Sequence, residues 1–213
     1  VNFIMLKMMV ENQMKQPMDQ LLHNDFYSRL GARHTTYNPL KVMDTLQIVP
    51  TENDQFVRRQ LIRGYVHDEA AAFQGGVSGN AGLFSNANDL AKVLQLFLNQ
   101  GKYGNEQYLS PETCRLFTQS KSPTSRRGLG FDKPAVGSHK GSPCSSLTPP
   151  SVYGHTGFTG TCFWVDPTNQ LLYIFLCNRV NPSRANSKLS ALDIRTRIQD
   201  AIYKSIDRKS QKD

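Results

Sequence analysis

The strongest constraint on the fold lies in the final third of the chain. Three short apolar runs follow one another there, at about residues 153–158, 161–166 and 171–177. Pro167-Thr168-Asn169-Gln170 separates the last two and has the composition of a hairpin turn, which makes antiparallel neighbours of the strands it joins. Phe163 and Val165, then Leu172, Ile174 and Leu176, alternate with period two and give one antiparallel sheet a packed face. A helix over about 187–206 follows, with Leu189, Leu192, Ile194, Ile198, Ile202 and Ile206 largely on one side. It is expected to pack on the sheet. The order is helices, then an antiparallel meander, then a terminal helix, which is α+β and not an alternating βαβ pattern.

Upstream, the chain reads mainly as helices and loops. Ile4, Leu6, Met8, Met9, Val10 and Met14 predict a helix over residues 2–15, closed by Pro17; a Met-rich helix of this kind is expected to fill a core. A second helix over 18–27 should stop at Gly31. Residues 32–65 look irregular, with weak strand signals at 45–49, and 66–85 is rich in Gly and Ala. Ser85 is the expected cap of an amphipathic helix carrying Leu90, Val93, Leu94, Phe97 and Leu98, ended by Asn99-Gln100-Gly101. Ser110-Pro111-Glu112 opens another helix. Residues 120–150 read as a long loop around a short strand near 128–131. The division expected is one domain with a mainly helical lobe, 1–125, and a lobe of antiparallel strands plus the C-terminal helix, 126–213.

A chain of 213 residues with 38% hydrophobic and 20% charged residues can bury a core and is not a disordered segment. Its net charge of +8 is spread out, with runs only at Arg58-Arg59, Arg126-Arg127 and the tail from Asp207 to Lys212, which reads as a solvated end. No basic stripe interleaved with aromatics and no recognition motif accompanies that charge, so nucleic acid is not the expected partner; a nucleic-acid-binding domain rests on charge alone. Cys114, Cys144, Cys162 and Cys177 form no CxxC pair, so no zinc site is expected, and Cys162 and Cys177 read as small buried thiols; no other metal and no cofactor is expected either. No apolar run reaches the roughly 18 residues of a transmembrane helix. The chain opens on Val1-Asn2-Phe3 inside an apolar segment, without a signal peptide, and reads as a fragment whose natural N-terminus lies upstream.

The chemistry-bearing stretch is Tyr153-Gly154-His155-Thr156-Gly157-Phe158-Thr159-Gly160-Thr161. Gly157 and Gly160 let a substrate or another backbone approach a strand edge closely. An acyl-transfer site needs backbone N–H donors for a developing oxyanion and a cationic or donor side chain nearby, and such an edge supplies both. The plain alternative is tight small-residue strand pairing.

Taken with Phe163-Trp164-Val165-Asp166-Pro167 and Asn178-Arg179-Val180-Asn181-Pro182-Ser183-Arg184, this stretch resembles the end of the serine β-lactamase-like and penicillin-binding-protein-like hydrolases. In that family a Lys-Thr-Gly or His-Thr-Gly strand borders the site. The run from Gly79 to Ala91 is similar to a glycine turn plus helix of the same family, and Tyr65-Val66-His67-Asp68-Glu69 is similar to members related to cell-wall carboxypeptidases and esterases. The resemblance spans nearly the whole chain. It implies a β-lactamase/transpeptidase-like fold, incomplete at the N-terminus, and a periplasmic or cell-envelope protein.

The resemblance also implies roles. His155 stands where the family's Lys often stands, to orient a substrate carboxylate or the oxyanion; Thr156 hydrogen-bonds the substrate; Phe158 gives its backbone N–H to the oxyanion hole. Gly157 and Thr159 line the substrate, and His67 and Asp68 line the cleft unless they are local hydrogen-bonding partners. Arg179 and Arg184 read first as ion-pair formers and second as partners of an anionic substrate. One departure matters more than these matches. No Lys has Ser three residues before it, so the family's Ser-x-x-Lys nucleophile is absent, and Tyr-x-Asn would end just before Val1. The expectation is a fragment of a serine hydrolase that acts on amide or ester bonds through an acyl-enzyme and is inert alone. The alternative is a non-catalytic ligand-binding or interaction domain on the same fold. The implied partners are the missing N-terminal part of the domain, a small-molecule or peptide substrate, an upstream glycoside hydrolase domain of the kind some relatives carry, and a second copy through self-association.

Overall fold

The computed structural model describes residues 1–135 and 142–210, with side chains described as far as Ile206. His139 and the side chains of the expected tail, Asp207 to Lys212, lie outside the described residues. The chain forms two compact units, Val1–Val93 with Asn178–Asn186, and Leu94–Cys177 with Ser187–Asp213.

In the first unit, α1 (Asn2–Met14) forms as expected and ends at Lys15, whose φ of 52° breaks the helix before Pro17. The core-filling role expected of it is not what the structure shows. None of its residues is buried, and Phe3, Met5, Leu6, Met8 and Met9 are exposed. The reason lies in their distribution: apolar residues surround the helix, and no single packed face can cover them. Helix α2 (Met18–Leu22) widens into a π-helical turn (His23–Tyr27), and Gly31 closes the segment at a φ of +66°.

The region 32–65 departs from its irregular expectation. After β1 (Thr36–Tyr37), the weak strand signal at 45–49 resolves into a 3-10 turn (Thr45–Gln47) capped by Asp44, which accepts from the Leu46 N–H. The strands come later, as an antiparallel hairpin of β2 (Pro50–Asp54) and β3 (Gln60–Arg63). Sequence periodicity misses β2 because Pro-Thr-Glu-Asn-Asp is poor in strand formers. Helix α3 (Glu69–Phe73) follows, and β4 (Leu83–Phe84) returns to pair with β1. Helix α4 (Ala87–Leu98) then begins at Asn86, whose side-chain oxygen accepts from the Asp89 N–H at 2.8 Å. Ser85 is therefore not the cap: its hydroxyl faces the Thr35 hydroxyl at 2.7 Å.

The second unit is built on one sheet in the order β7–β8–β9, namely Tyr153–Thr156, Cys162–Asp166 and Leu171–Phe175, after a small hairpin (β5, Lys102–Tyr103; β6, Glu106–Gln107) and α5 (Pro111–Thr118). Both pairings are antiparallel, with His155 opposite Phe163 and Val165 opposite Leu172. One face carries Tyr153 and Val165 against Leu94 and Leu98, bordered by Phe97, Phe131, Phe163, Leu172 and Ile174. The other carries Cys162, Trp164 and Tyr173 with Cys144 and Val152, bordered by Phe175 and Ile202 of the terminal helix. The strand expected near 128–131 reduces to a single bridge from Asp132 to Gly154. The terminal helix is two helices, α6 (Lys188–Ala191) and α7 (Ile194–Ser210); Asp193, at a φ of 48°, breaks the pattern between them. Ser110 caps α5 as expected, accepting from the Thr113 N–H at 3.0 Å. Cys114, Cys144 and Cys162 are buried thiols and Cys177 is half-buried; burial pushes the Cys162 thiol up to about 11. Among the described residues, no helix is long and apolar enough to cross a membrane.

Candidate active site

The residues expected to carry chemistry divide between the two units. His155, Thr156, Gly157, Phe158 and Thr159 share one hairpin of the second unit, at the end of β7 and in its turn to β8. The turn is fastened by two backbone bonds, from the Gly157 N–H to the Thr161 carbonyl at 2.8 Å and from the Gly160 N–H to the Gly157 carbonyl at 3.0 Å. Gly160 takes a φ of +112°, which a residue with a side chain rarely adopts.

The close approaches at this hairpin are made by the protein itself. A Cβ on Gly157 would lie 2.5 Å from Thr161 Oγ1. A Cβ on Gly154 would lie 2.0 Å from the Phe163 carbonyl oxygen and 2.6 Å from the Trp164 ring, so the indole is packed where a side chain would stand. Trp164 is thus core, and Gly154 is the small residue that admits it.

His155 and Thr156 are half-buried, and Phe158 is exposed at the tip of the turn. His155 Nδ1 lies 2.8 Å from the Thr156 carbonyl oxygen. A carbonyl only accepts, so Nδ1 carries the proton and Nε2 is the nitrogen left for a ligand. In the neutral ring Nε2 accepts; only the imidazolium donates from both nitrogens.

His67 and Asp68 belong to the first unit and are engaged within it. Asp68 caps α3, accepting from the Ala71 N–H at 2.8 Å. His67 borders an ionic cluster that sequence reasoning missed, placing its Nε2 3.3 Å from Glu52 Oε1. Glu52 and Asp54, both buried on β2, face two arginines. Arg58 Nε meets Asp54 at 2.8 Å, and its other nitrogens reach Glu52 at 3.2 Å and the carbonyls of Val66 and His67. Arg184 forks onto both Glu52 oxygens, at 3.1 and 3.0 Å, and reaches Glu69 at 2.9 Å while its guanidinium stacks 5.0 Å from the Phe56 ring centre. Burial would raise the Asp54 carboxyl, but Arg58 and three backbone N–H donors overcome it and hold the group well below the usual carboxylate range. Arg184 is the ion-pair former that was its first reading. The only local hint of the cluster was Asp54 and Arg58 four residues apart.

No group of His, Cys, Asp and Glu suited to a metal ion occurs among the described residues.

Comparison with known proteins gives one consistent picture. The sequence model of the family described as Beta-lactamase matches residues 1–196. A protein of Escherichia coli O157:H7 named "Putative D-alanyl-D-alanine carboxypeptidase" is 38% identical over 192 residues, covering 84% of this chain and 44% of that protein. A protein of the same name from Salmonella schwarzengrund is 36% identical, covering 89% of this chain and 46% of its own length. The chain thus spans less than half the length of the curated relatives it matches. Among solved structures, a beta-lactamase from Mycobacterium bovis superposes with a TM-score of 0.63 at 19% identity, over 95% of this chain and 61% of that one. A penicillin-binding protein homologue from Caulobacter crescentus does so with a TM-score of 0.55 at 16% identity, over 84% of this chain and 51% of that one. These two likenesses speak to the fold.

Proposed function

The chain belongs to the beta-lactamase family, and on that premise we propose that it is the C-terminal portion of a serine hydrolase that cleaves amide or ester bonds through an acyl-enzyme. The observation that carries this reading is the His155-Thr156-Gly157 strand end. It offers a half-buried ring nitrogen and a hydroxyl beside a sharp turn, on a sheet of the family's fold. Thr156 hydrogen-bonds the substrate, Phe158 contributes its N–H to the oxyanion, and Gly157 and Thr159 border the bound acyl group. The name shared by the curated relatives favours peptides ending in D-alanine over β-lactams or small esters as substrate, and a place in the periplasm or cell envelope.

In this reading residues outside the chain supply Ser-x-x-Lys and Tyr-x-Asn, because no Lys of the chain follows a Ser at that spacing. The chain alone is then inert, and its partner is the remainder of its own domain. The exposed Phe3, Met5, Leu6, Met8 and Met9 of α1 support that partner, and in its absence support self-association. Nitrocefin, p-nitrophenyl acetate and a D-alanyl-D-alanine peptide should show no turnover above buffer with this chain. The chain extended by its upstream coding sequence should turn over at least one of them and take a fluorescent penicillin covalently. Turnover by the chain alone that a serine-directed acylating agent abolishes would sink the reading.

A further inference from the structure

We propose that the cluster of Glu52, Arg58, His67, Glu69 and Arg184 is an acid-sensitive clasp, which seats the Asn178–Asn186 segment on the β2–β3 hairpin near neutral pH and releases it when His67 takes up a proton.

The segment is covalently remote from the hairpin and is held to it at named points. The Asn178 side-chain amide donates to the carbonyls of Pro50 and Thr51, at 2.6 and 2.8 Å. The Asn53 N–H donates to the Pro182 carbonyl at 3.3 Å. Arg184 is fastened by Glu52 and Glu69. Glu52 is the keystone, since both arginines and His67 meet its carboxylate and it is almost fully buried.

The groups that face His67 come from every element around it: Glu52 from β2, Arg58 from the hairpin turn, Glu69 from α3 and Arg184 from the segment itself. Burial disfavours the imidazolium most; Glu52 and Glu69 favour it, and Arg184 and Arg58 oppose it. The balance holds the His67 pKa below its ordinary 6.5. The carboxyl of Glu69 is also lowered: its burial is outweighed by Arg184 and its own backbone N–H. With Asp54 lowered too, His67 is the member of the cluster whose charge changes first as pH falls from neutrality. A proton there sets a cation beside two guanidinium groups on a largely buried ring and competes with them for Glu52. The seated state binds that proton more weakly than the open state, so acid favours opening. Closure is complete above pH 6.5 and weakens as pH falls from there toward the seated pKa.

The Asn53 amide reads the clasp directly. Its hydrogen exchange, followed by NMR on the whole chain and corrected for intrinsic rate, should lose protection by about tenfold per pH unit below 6.5, until the seated pKa is reached. Amides of β8 serve as the reference and should keep theirs. His67→Gln should flatten the pH dependence while the segment stays closed, and Glu52→Gln should leave Asn53 unprotected at every pH. An equal loss in His67→Gln, a parallel loss across β8, or constant protection in the parent chain would each overturn the proposal. Should His67→Gln fail to fold, the His67 ring proton shift decides in the parent chain: a midpoint at or above 6.5 refutes the clasp, and one below it that coincides with the Asn53 transition supports it.

Discussion

Tyr203→Phe tests how the terminal helix is tied to the sheet. The Tyr203 hydroxyl donates to Asp166 Oδ2 at 2.6 Å, with Tyr203 4% and Asp166 1% exposed. Asp166 also accepts from the Thr168 N–H at 2.9 Å, from the Asn169 N–H at 3.1 Å and from Asn169 Nδ2 at 2.7 Å. Removing the hydroxyl deletes one of these four bonds and leaves the carboxylate three donors, so no bare buried charge results. The loss is that of one hydrogen bond to a charged group, about 1.5–3 kcal/mol. The ring stays, so no cavity term of consequence adds to it. With a urea m-value of about 1–3 kcal/mol/M, the midpoint falls by roughly 1 M. The assay is urea unfolding followed by fluorescence of Trp164, the single tryptophan, which lies in the core cluster of the same unit. An unchanged m-value with the expected midpoint shift supports the tie. A shift below about 0.3 kcal/mol would mean that water replaces the phenol at no loss, against the burial on which the magnitude rests.

Three further outcomes follow from the same geometry. Gly154→Ala places a Cβ 2.0 Å from the Phe163 carbonyl oxygen and should lower stability by at least the roughly 1–3 kcal/mol of an overpacked core, seen as an earlier Trp164 transition. Asp68→Ala should lose about 1 kcal/mol with the α3 cap, and Asp68→Ser should recover most of it in the same denaturation assay, as a cap would and a substrate ligand would not. Burial raises the phenols of Tyr27, Tyr153, Tyr173 and Tyr203, and takes Tyr37 up to about 12. Raised groups stabilise the fold fully below their unfolded pKa, which is 9.0 for the buried thiols and 10.0 for the phenols, so melting temperatures should begin to fall above pH 9 and fall more steeply above pH 10; a flat profile to pH 12 would contradict the burial.

Local rules explain which parts of the fold were legible in the sequence. The β7–β8–β9 meander was, because period-two alternation and a four-residue turn act between neighbours in sequence. The caps show the limit of that reasoning. Ser85 and Asn86 both suit an N-cap, and only the Thr35 hydroxyl opposite Ser85 separates them. Asp193 breaks the terminal helix through a left-handed backbone that its neighbours do not announce. For α1 the apolar girth was legible and agrees with the exposed Phe3, Met5, Leu6, Met8 and Met9, whereas the core-filling expectation fails, since burial depends on what surrounds a helix and not on its composition alone.

The β2–β3 hairpin and its ionic cluster were invisible for a deeper reason. The residues of β2 are poor strand formers, and what seats them is an arginine 132 positions away. Removing one partner of a buried charge network strands the others at about 3–5 kcal/mol, so Glu52, Asp54, Arg58 and Arg184 fix this local structure together although no window of sequence contains them all. The candidate site lies between these extremes. Its glycines and its His-Thr pair could be singled out from composition, since small residues around a strand end limit what the backbone does there. The use made of them could not. Gly154 serves the Trp164 ring and Gly157 serves Thr161, while His155 turns Nδ1 to the Thr156 carbonyl. The motif is therefore first a way of folding a sharp, well-fastened strand end. Whatever chemistry it supports acts through the atoms that folding leaves over, Nε2 of His155 foremost among them.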